Sequence, residues 1–137
     1  MRVTLPLIAA FGAGLLSTSA TFAHHAVQAT VDIDKNVEVV ATLIKVDWIN
    51  PHAWMHFDMT MPDGSVVNDV KVESLAMTAL HQAGLDSNSL LLGDGYDVTF
   101  YPNRDGSAGG FMTRMVLPDG RIFDIQNRGK VVGPDGP

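Results

Sequence analysis

The sequence predicts a small, mainly β protein: a five- to six-stranded OB-like barrel with one short helix, after an N-terminal signal peptide. Three observations carry this prediction. Several short segments alternate apolar and polar residues, turn signals separate them, and one segment has the residue spacing of a helix. Three strands, a helix and two or three more strands follow the order of an OB barrel, in which the helix plugs one end. An open β-sandwich would use the same strands.

The first half of the chain predicts a three-stranded meander. Its strands run from Val37 to Val46, from Trp54 to Met61 and from Val66 to Glu73. The middle strand alternates, which places Met55 and Phe57 on its apolar face and His56 on its polar face. The turn signal Pro62-Asp63-Gly64-Ser65 predicts a hairpin between the second and third strands.

The second half predicts a short helix and then further strands. Ser74 is expected to cap a helix that runs to about Ala83, where Gly84 ends it. The later strands run from Tyr96 to Tyr101, from Phe111 to Leu117 and from Arg121 to Ile125, and the loop from Pro102 to Gly110 is rich in glycine and proline. Met112 and Met115 differ in strand parity, so one of them is expected to face outward.

The start of the chain has the features of a cleaved signal peptide. Arg2 supplies a positive charge, the stretch from Leu5 to Leu16 is apolar, and Thr21 and Ala23 are the small residues that a peptidase site requires. The apolar stretch is shorter than the ~20 residues of a membrane-spanning helix. We therefore expect a cut after Ala23, a periplasmic or secreted protein, and no permanent membrane anchor after cleavage.

Length and composition limit the remaining chain to one domain. Removing residues 1–23 from 137 leaves 114, and removing Arg2 changes the formal charge from −6 to −7. We expect a signal peptide at 1–23, a single β-barrel domain at 24–128 and a disordered tail at 129–137. The negative charge and dispersed basic residues argue against a nucleic-acid partner. The absence of cysteine excludes disulfides, thiolate chemistry and cysteine-type zinc sites.

A metal site is predicted from three of the five histidines, namely His24, His25 and His52. A cut after Ala23 makes His24 the first residue, so its α-amine and ring Nδ1 can chelate one metal ion. His52 follows Asn50-Pro51, which stiffens the loop that presents its ring. His25 or a methionine is expected as an outer or fourth ligand, and histidine is the commonest metal-binding side chain.

Copper is the preferred metal for this ligand set. Three nitrogen ligands in a T or square plane suit Cu(II), which also has the highest affinity among the divalent metals of its row. Zinc is the alternative, with help from Asp47 or Asp58. His56 is not expected to share the ion, because four residues along a strand separate it from His52 by ~13 Å. His81 is expected on the exposed side of the helix.

Several segments of the chain resemble a family of small exported bacterial proteins of unknown function. Members of this family begin their mature region with a His-His-Ser-Phe-like sequence and carry an Asn-Pro-His loop. The resemblance covers about residues 24–123 and rests on His24-His25-Ala26-Val27, Val31-Asp32-Ile33-Asp34-Lys35, Trp48-Ile49-Asn50-Pro51-His52-Ala53-Trp54, Gly93-Asp94, Arg104-Asp105-Gly106-Ser107 and Leu117-Pro118-Asp119-Gly120-Arg121. It implies that the histidine pair and the Asn-Pro-His loop are family features, while Val27 and Leu85 replace usual aromatic residues.

Two other functions remain open. The first is a metal-free binding or scaffolding module, in which the surface around Trp48, Trp54, Tyr101 and the 102–110 loop binds a peptide, a glycan or an envelope protein. The second is an oxidative copper enzyme built on the N-terminal histidine. No motif for nucleophilic, phosphate-binding or paired-carboxylate chemistry stands out. We therefore expect a binding protein rather than an enzyme.

Overall fold

A computed structural model describes residues 29–125 and 130–133 of the chain. The elements are β1 (Val37–Asp47), β2 (Trp54–Thr60), β3 (Val66–Glu73), the helix α1 (Met77–Gln82), β4 (Gly95–Pro102), β5 (Gly110–Val116), β6 (Ile122–Asp124) and β7 (Lys130–Val132). The predicted signal peptide and the pair His24 and His25 lie outside the described residues. Within those residues, no helix is both long enough and apolar enough to cross a membrane.

The strands form one sheet that closes into a five-stranded barrel. The sheet order is β3-β2-β1-β4-β5-β6-β7, and β3 also pairs with β5. This closing contact is parallel and joins Val72 to Gly110 and Glu73 to Phe111, whereas the other strand pairs are antiparallel. With α1 between β3 and β4, the order is that of an OB barrel, which confirms the predicted fold class. β6 and β7 extend the sheet beyond the barrel.

The barrel interior is filled by large apolar side chains from all five barrel strands. Phe57, Tyr96 and Phe100 are among its fully buried residues, and Leu80 of α1 is buried with them. The alternation predicted for β2 places Met55 and Phe57 inside as expected. The sequence pattern therefore identifies the apolar face of this strand correctly.

A β-bulge in β5 changes the predicted position of the methionines. Thr99 pairs with Arg114, but the next residue of β4, Phe100, pairs with Met112, so Thr113 is the extra residue. An extra residue reverses the alternation beyond it. Met112 and Met115 are consequently both buried in the core, and the expectation that one of them faces outward is wrong.

The helix begins later than predicted and without the expected cap. Its N-cap residue is Ala76, and no side chain bonds the first turn. Ser74 is fully buried, and its backbone N–H donates to the carbonyl of Ala53 at 2.9 Å, so the chain is still extended at this point. The N-cap position falls to Ala76, and the helix begins at Met77. The predicted stop is confirmed, since Gly84 has a φ of 81°.

The end of the chain contains a strand that composition did not reveal. β7 pairs with β6 through Val131 and Phe123, and Val131 packs against the core. It lies inside the segment 129–137, for which we expected no structure. Two β-branched valines favour a strand, whereas the prediction weighed only the glycine and proline of residues 133–137. The folded chain therefore continues at least to residue 132.

Candidate functional site

His52 lies in the loop between β1 and β2, held by a carboxylate of the neighbouring strand. Its Nδ1 is 2.6 Å from Oε1 of Glu73, the last residue of β3, and its ring meets Phe111 edge-on with the centroids 6.4 Å apart. The His52 and Glu73 side chains are 23% and 22% exposed. The preceding Asn50–Pro51 peptide bond is cis. The predicted ligand is therefore partly exposed and fixed in orientation.

The contact with Glu73 determines which nitrogen of His52 is available to a ligand. An ionised carboxylate only accepts hydrogen bonds, so Nδ1 must carry the proton and donate it. No described residue hydrogen-bonds Nε2. In the neutral ring, Nε2 then carries the lone pair with which histidine binds metals.

The other two predicted ligands, His24 and His25, lie outside the described residues. Within the described residues, no group of three or more histidine, aspartate or glutamate side chains could hold a metal ion. The carboxylates predicted to help bind zinc have other partners. Asp47 contacts Lys45 at 2.7 Å, and Asp58 accepts a hydrogen bond from the backbone of Asp69 at 3.0 Å.

Most of the methionines are unsuitable as additional ligands. Met55, Met59, Met112 and Met115 are all completely buried in the barrel core. A thioether in the core cannot reach an ion bound beside the partly exposed His52 ring. These four residues therefore fill the core, as flexible apolar side chains often do.

His56 forms a polar cluster that the sequence did not predict. It lies on β2 with its side chain only 4% exposed, between Asp69 of β3 and Asp47 of β1. Its Nδ1 is 2.6 Å from Oδ1 of Asp69, and its Nε2 is 2.9 Å from Oδ2 of Asp47. Lys45 completes the cluster through its 2.7 Å contact with Asp47. We call His56, Asp47, Asp69 and Lys45 the His56 cluster.

Both ring nitrogens of His56 face carboxylates. Two ionised carboxylates can only accept, so the ring bonds both of them when both of its nitrogens carry protons. The pKa of Asp47 is lowered, first by its hydrogen bond to Lys45 and then by that to His56. The hydrogen bond from His56 lowers the pKa of Asp69.

An irregularity in β3 aims the Asp69 carboxylate at His56. The register between β2 and β3 shifts between Phe57 and Met59, and Asp69 has a positive φ of 52°, a conformation that aspartate tolerates better than most residues. The alternation of β2 had placed His56 on the polar face. Aspartates on both neighbouring strands were the signal, but the alignment of Asp69 with His56 depends on this bulge.

A groove of about 470 Å³ lies at the end of the barrel where β1 begins and β4 ends. Val37, Met61 and Val67 line it together with the β4–β5 loop from Pro102 to Gly109. Trp48 and Trp54, which we expected to share a surface with this loop, do not line the groove. Trp48 follows the far end of β1 and packs against His81, with ring centroids 5.7 Å apart. The groove and the Trp48–His81 contact therefore lie at opposite ends of β1.

Comparison with known proteins identifies the family of the chain. A search of curated proteins found no match, and neither did a search of solved structures. A family model does match, over residues 14–113 of the 137-residue chain, and its description is a family of unknown function. The match spans most of the barrel as well as the Asn50-Pro51-His52 loop. The chain therefore belongs to the Family of unknown function (DUF6152).

Proposed function

We propose that this chain is an exported metal-binding protein, with copper as its metal and His24, His25 and His52 as its ligands. In this proposal a signal peptidase cuts after Ala23 on export to the periplasm, which exposes the α-amine of His24. The protein would act in copper storage, delivery or sensing rather than in turnover. The observation that carries the proposal is the His52–Glu73 contact, because it leaves Nε2 of His52 as the ring atom available to a metal.

The course of the chain supports a meeting of His24 with His52. The carbonyl of Thr30 accepts a hydrogen bond from the backbone of Arg104, at the start of the β4–β5 loop. The far end of this loop leads into Phe111, the ring partner of His52. Thr30 lies six positions after His24, and such a segment spans at most ~20 Å. This reach is compatible with a shared ion.

Copper remains the favoured metal because the available donors are nitrogens. The α-amine and ring of His24 with Nε2 of His52 supply three, and His25 supplies a fourth. Such a set suits tetragonal Cu(II), whose affinity exceeds that of zinc for the same ligands. Zinc, which also binds histidine nitrogens, is the alternative metal, but one carboxylate expected to help bind it, Asp47, already contacts Lys45 and His56.

Copper titration of correctly processed protein tests this function. Protein that begins at His24 is expected to bind Cu(II) with a Kd below about 1 μM. His24→Ala and His52→Ala should each weaken binding at least about tenfold. His81→Ala, which removes an exposed histidine beside Trp48, is the matched control and should change nothing. Micromolar or weaker binding, or equal binding by the His52→Ala variant, would refute the proposal.

The N-terminus provides a second control on the same experiment. A single methionine placed before His24 moves the free amine away from the imidazole and should weaken Cu(II) binding. Mass spectrometry of protein recovered from the periplasm is expected to show a chain that starts at His24. A chain still carrying residues 1–23 would contradict the export step.

A second candidate function is favoured by the groove at the barrel end. Its aliphatic lining, including Val37, Met61 and Val67, suits a short apolar peptide segment of an envelope protein. A glycan fits less well, since Phe100 is the one aromatic lining residue and is itself buried. NMR titration with short apolar peptides should shift groove resonances, and Val67→Lys should abolish the shifts. Shifts confined to the His52 loop would argue against this function.

A further inference from the structure

Glu73, the last residue of β3, makes a close polar contact with His52. Its Oε1 lies 2.6 Å from Nδ1, and both side chains are about three-quarters shielded from solvent. The position of Glu73 is itself fixed, because it pairs with Trp54 of β2 and with Phe111 of β5 at the closure of the barrel. The carboxylate is therefore attached to a rigid part of the fold.

We infer that Glu73 is a positioning residue, which holds the proton of His52 on Nδ1 so that Nε2 is the metal-binding atom. This inference rests on the proposed function for its metal role. The physical basis is that an ionised carboxylate only accepts hydrogen bonds. The opposite tautomer would set a lone pair of Nδ1 against the carboxylate and carry its proton on Nε2, where the metal would bind.

Glu73 and Phe111 also fix the orientation of the His52 ring. Phe111 packs against the His52 ring from one side, while Glu73 holds the ring at Nδ1. A metal-binding imidazole commonly donates its second N–H to such a carboxylate, and removal of that partner typically costs 10–100-fold in metal affinity. Glu73 therefore acts through His52 and does not itself bind the ion.

The tautomer can be measured without any metal. Nitrogen-15 NMR of the metal-free, processed protein is expected to show the neutral His52 ring with its proton on Nδ1. Glu73→Leu should remove this preference. Glu73→Gln should largely retain it, because the side-chain amide oxygen still accepts the hydrogen bond. A neutral His52 ring that carries its proton on Nε2 in the wild type would overturn the inference, whatever the protein binds.

Copper titration then tests the metal role with matched variants. Glu73→Leu is expected to weaken Cu(II) binding 10–100-fold, with Glu73→Gln between it and the wild type. Glu38→Gln removes the same charge from an exposed glutamate of β1 and should leave the affinity unchanged. Equal losses in Glu73→Leu and Glu38→Gln would overturn the inference in favour of a general charge effect.

The two ideas can fail separately. If His52→Ala weakens Cu(II) binding but Glu73→Leu does not, the proposed function survives and the role of Glu73 is refuted. If His52→Ala binds Cu(II) as tightly as the wild type, the proposed function fails and the metal role of Glu73 fails with it. In that case the NMR result still decides whether Glu73 sets the tautomer.

Discussion

Removal of the His56 side chain should destabilise the barrel substantially. His56 is almost completely buried and donates to carboxylates on both neighbouring strands, so it links β1, β2 and β3. A hydrogen bond between charged groups contributes about 1.5–3 kcal/mol. Because the Asp47 side chain is 31% exposed and that of Asp69 is 62% exposed, both carboxylates regain water when the ring is lost, and the low end of this range applies to each bond. For His56→Ala we expect a loss of about 2–3 kcal/mol in the free energy of unfolding.

Chemical denaturation and thermal melting measure this loss directly. A change of about 2–3 kcal/mol corresponds to a fall in Tm of roughly 10–15 °C for a domain of this size. His56→Phe keeps the ring volume but removes both donors, so it separates hydrogen bonding from packing and should also destabilise. His81→Ala, at an exposed histidine, should stay within about 0.5 kcal/mol of the wild type.

A double-mutant cycle provides the sharpest test of the cluster. If the His56–Asp69 contact stabilises the fold, the losses of His56→Ala and Asp69→Ala will not add, because each variant removes the same hydrogen bond. Additive losses would refute the coupling. A His56→Ala loss below about 1 kcal/mol, or an undiminished stability of His56→Phe, would refute the view that the two hydrogen bonds hold the strands together.

Two further predictions concern pH and the β4–β5 loop. Because the folded-state pKa values of Asp47 and Asp69 are lowered, their stabilising effect is present above their unfolded pKa of about 3.8 and is lost as pH falls through the folded values. Tm should therefore drop below about pH 4. The drop should be less steep in Asp69→Asn, and an equal slope would refute the contribution of this group. Gly109→Ala should lower the free energy of unfolding by more than about 3 kcal/mol in chemical denaturation, because a Cβ would overlap the backbone carbonyl of Lys71. Gly64 also has a positive φ but has open space around it, so Gly64→Ala should cost only about 1 kcal/mol. Equal losses would contradict the steric argument.

The strands could be predicted closely because their boundaries carry local signals. The turn Pro62-Asp63-Gly64-Ser65 and the alternation of β2 depend on neighbouring residues alone, and the structure agrees with the prediction there to within one residue. The pairing of β3 with β5, which closes the barrel, could be expected only from the order of strands and helix along the chain. It depends on contacts between residues almost forty positions apart, such as Val72 and Gly110, which no local pattern encodes.

Two of the differences between prediction and structure share a physical origin in strand irregularities. One extra residue at Thr113 turns Met115 inward, and one at Asp69 turns a carboxylate towards His56. A bulge shifts the register by one position. A prediction that continues the two-residue alternation through the bulge then places every later side chain on the wrong face. The sequence around Thr113 and Asp69 has no glycine to mark either bulge, so the alternation was extended through both.

The two histidines near the start of β2 illustrate why the candidate site could be predicted only in part. His52 has one carboxylate partner, Glu73, and so retains a nitrogen lone pair in its neutral form. His56 has two, one at each ring nitrogen, so both nitrogens have partners and neither can bind a metal while the cluster is intact. The difference depends on Asp69, whose left-handed conformation at the bulge brings its carboxylate to the second nitrogen. Backbone geometry, and not residue type, therefore decides which histidine keeps a ring nitrogen without a carboxylate partner and which has a carboxylate at each nitrogen.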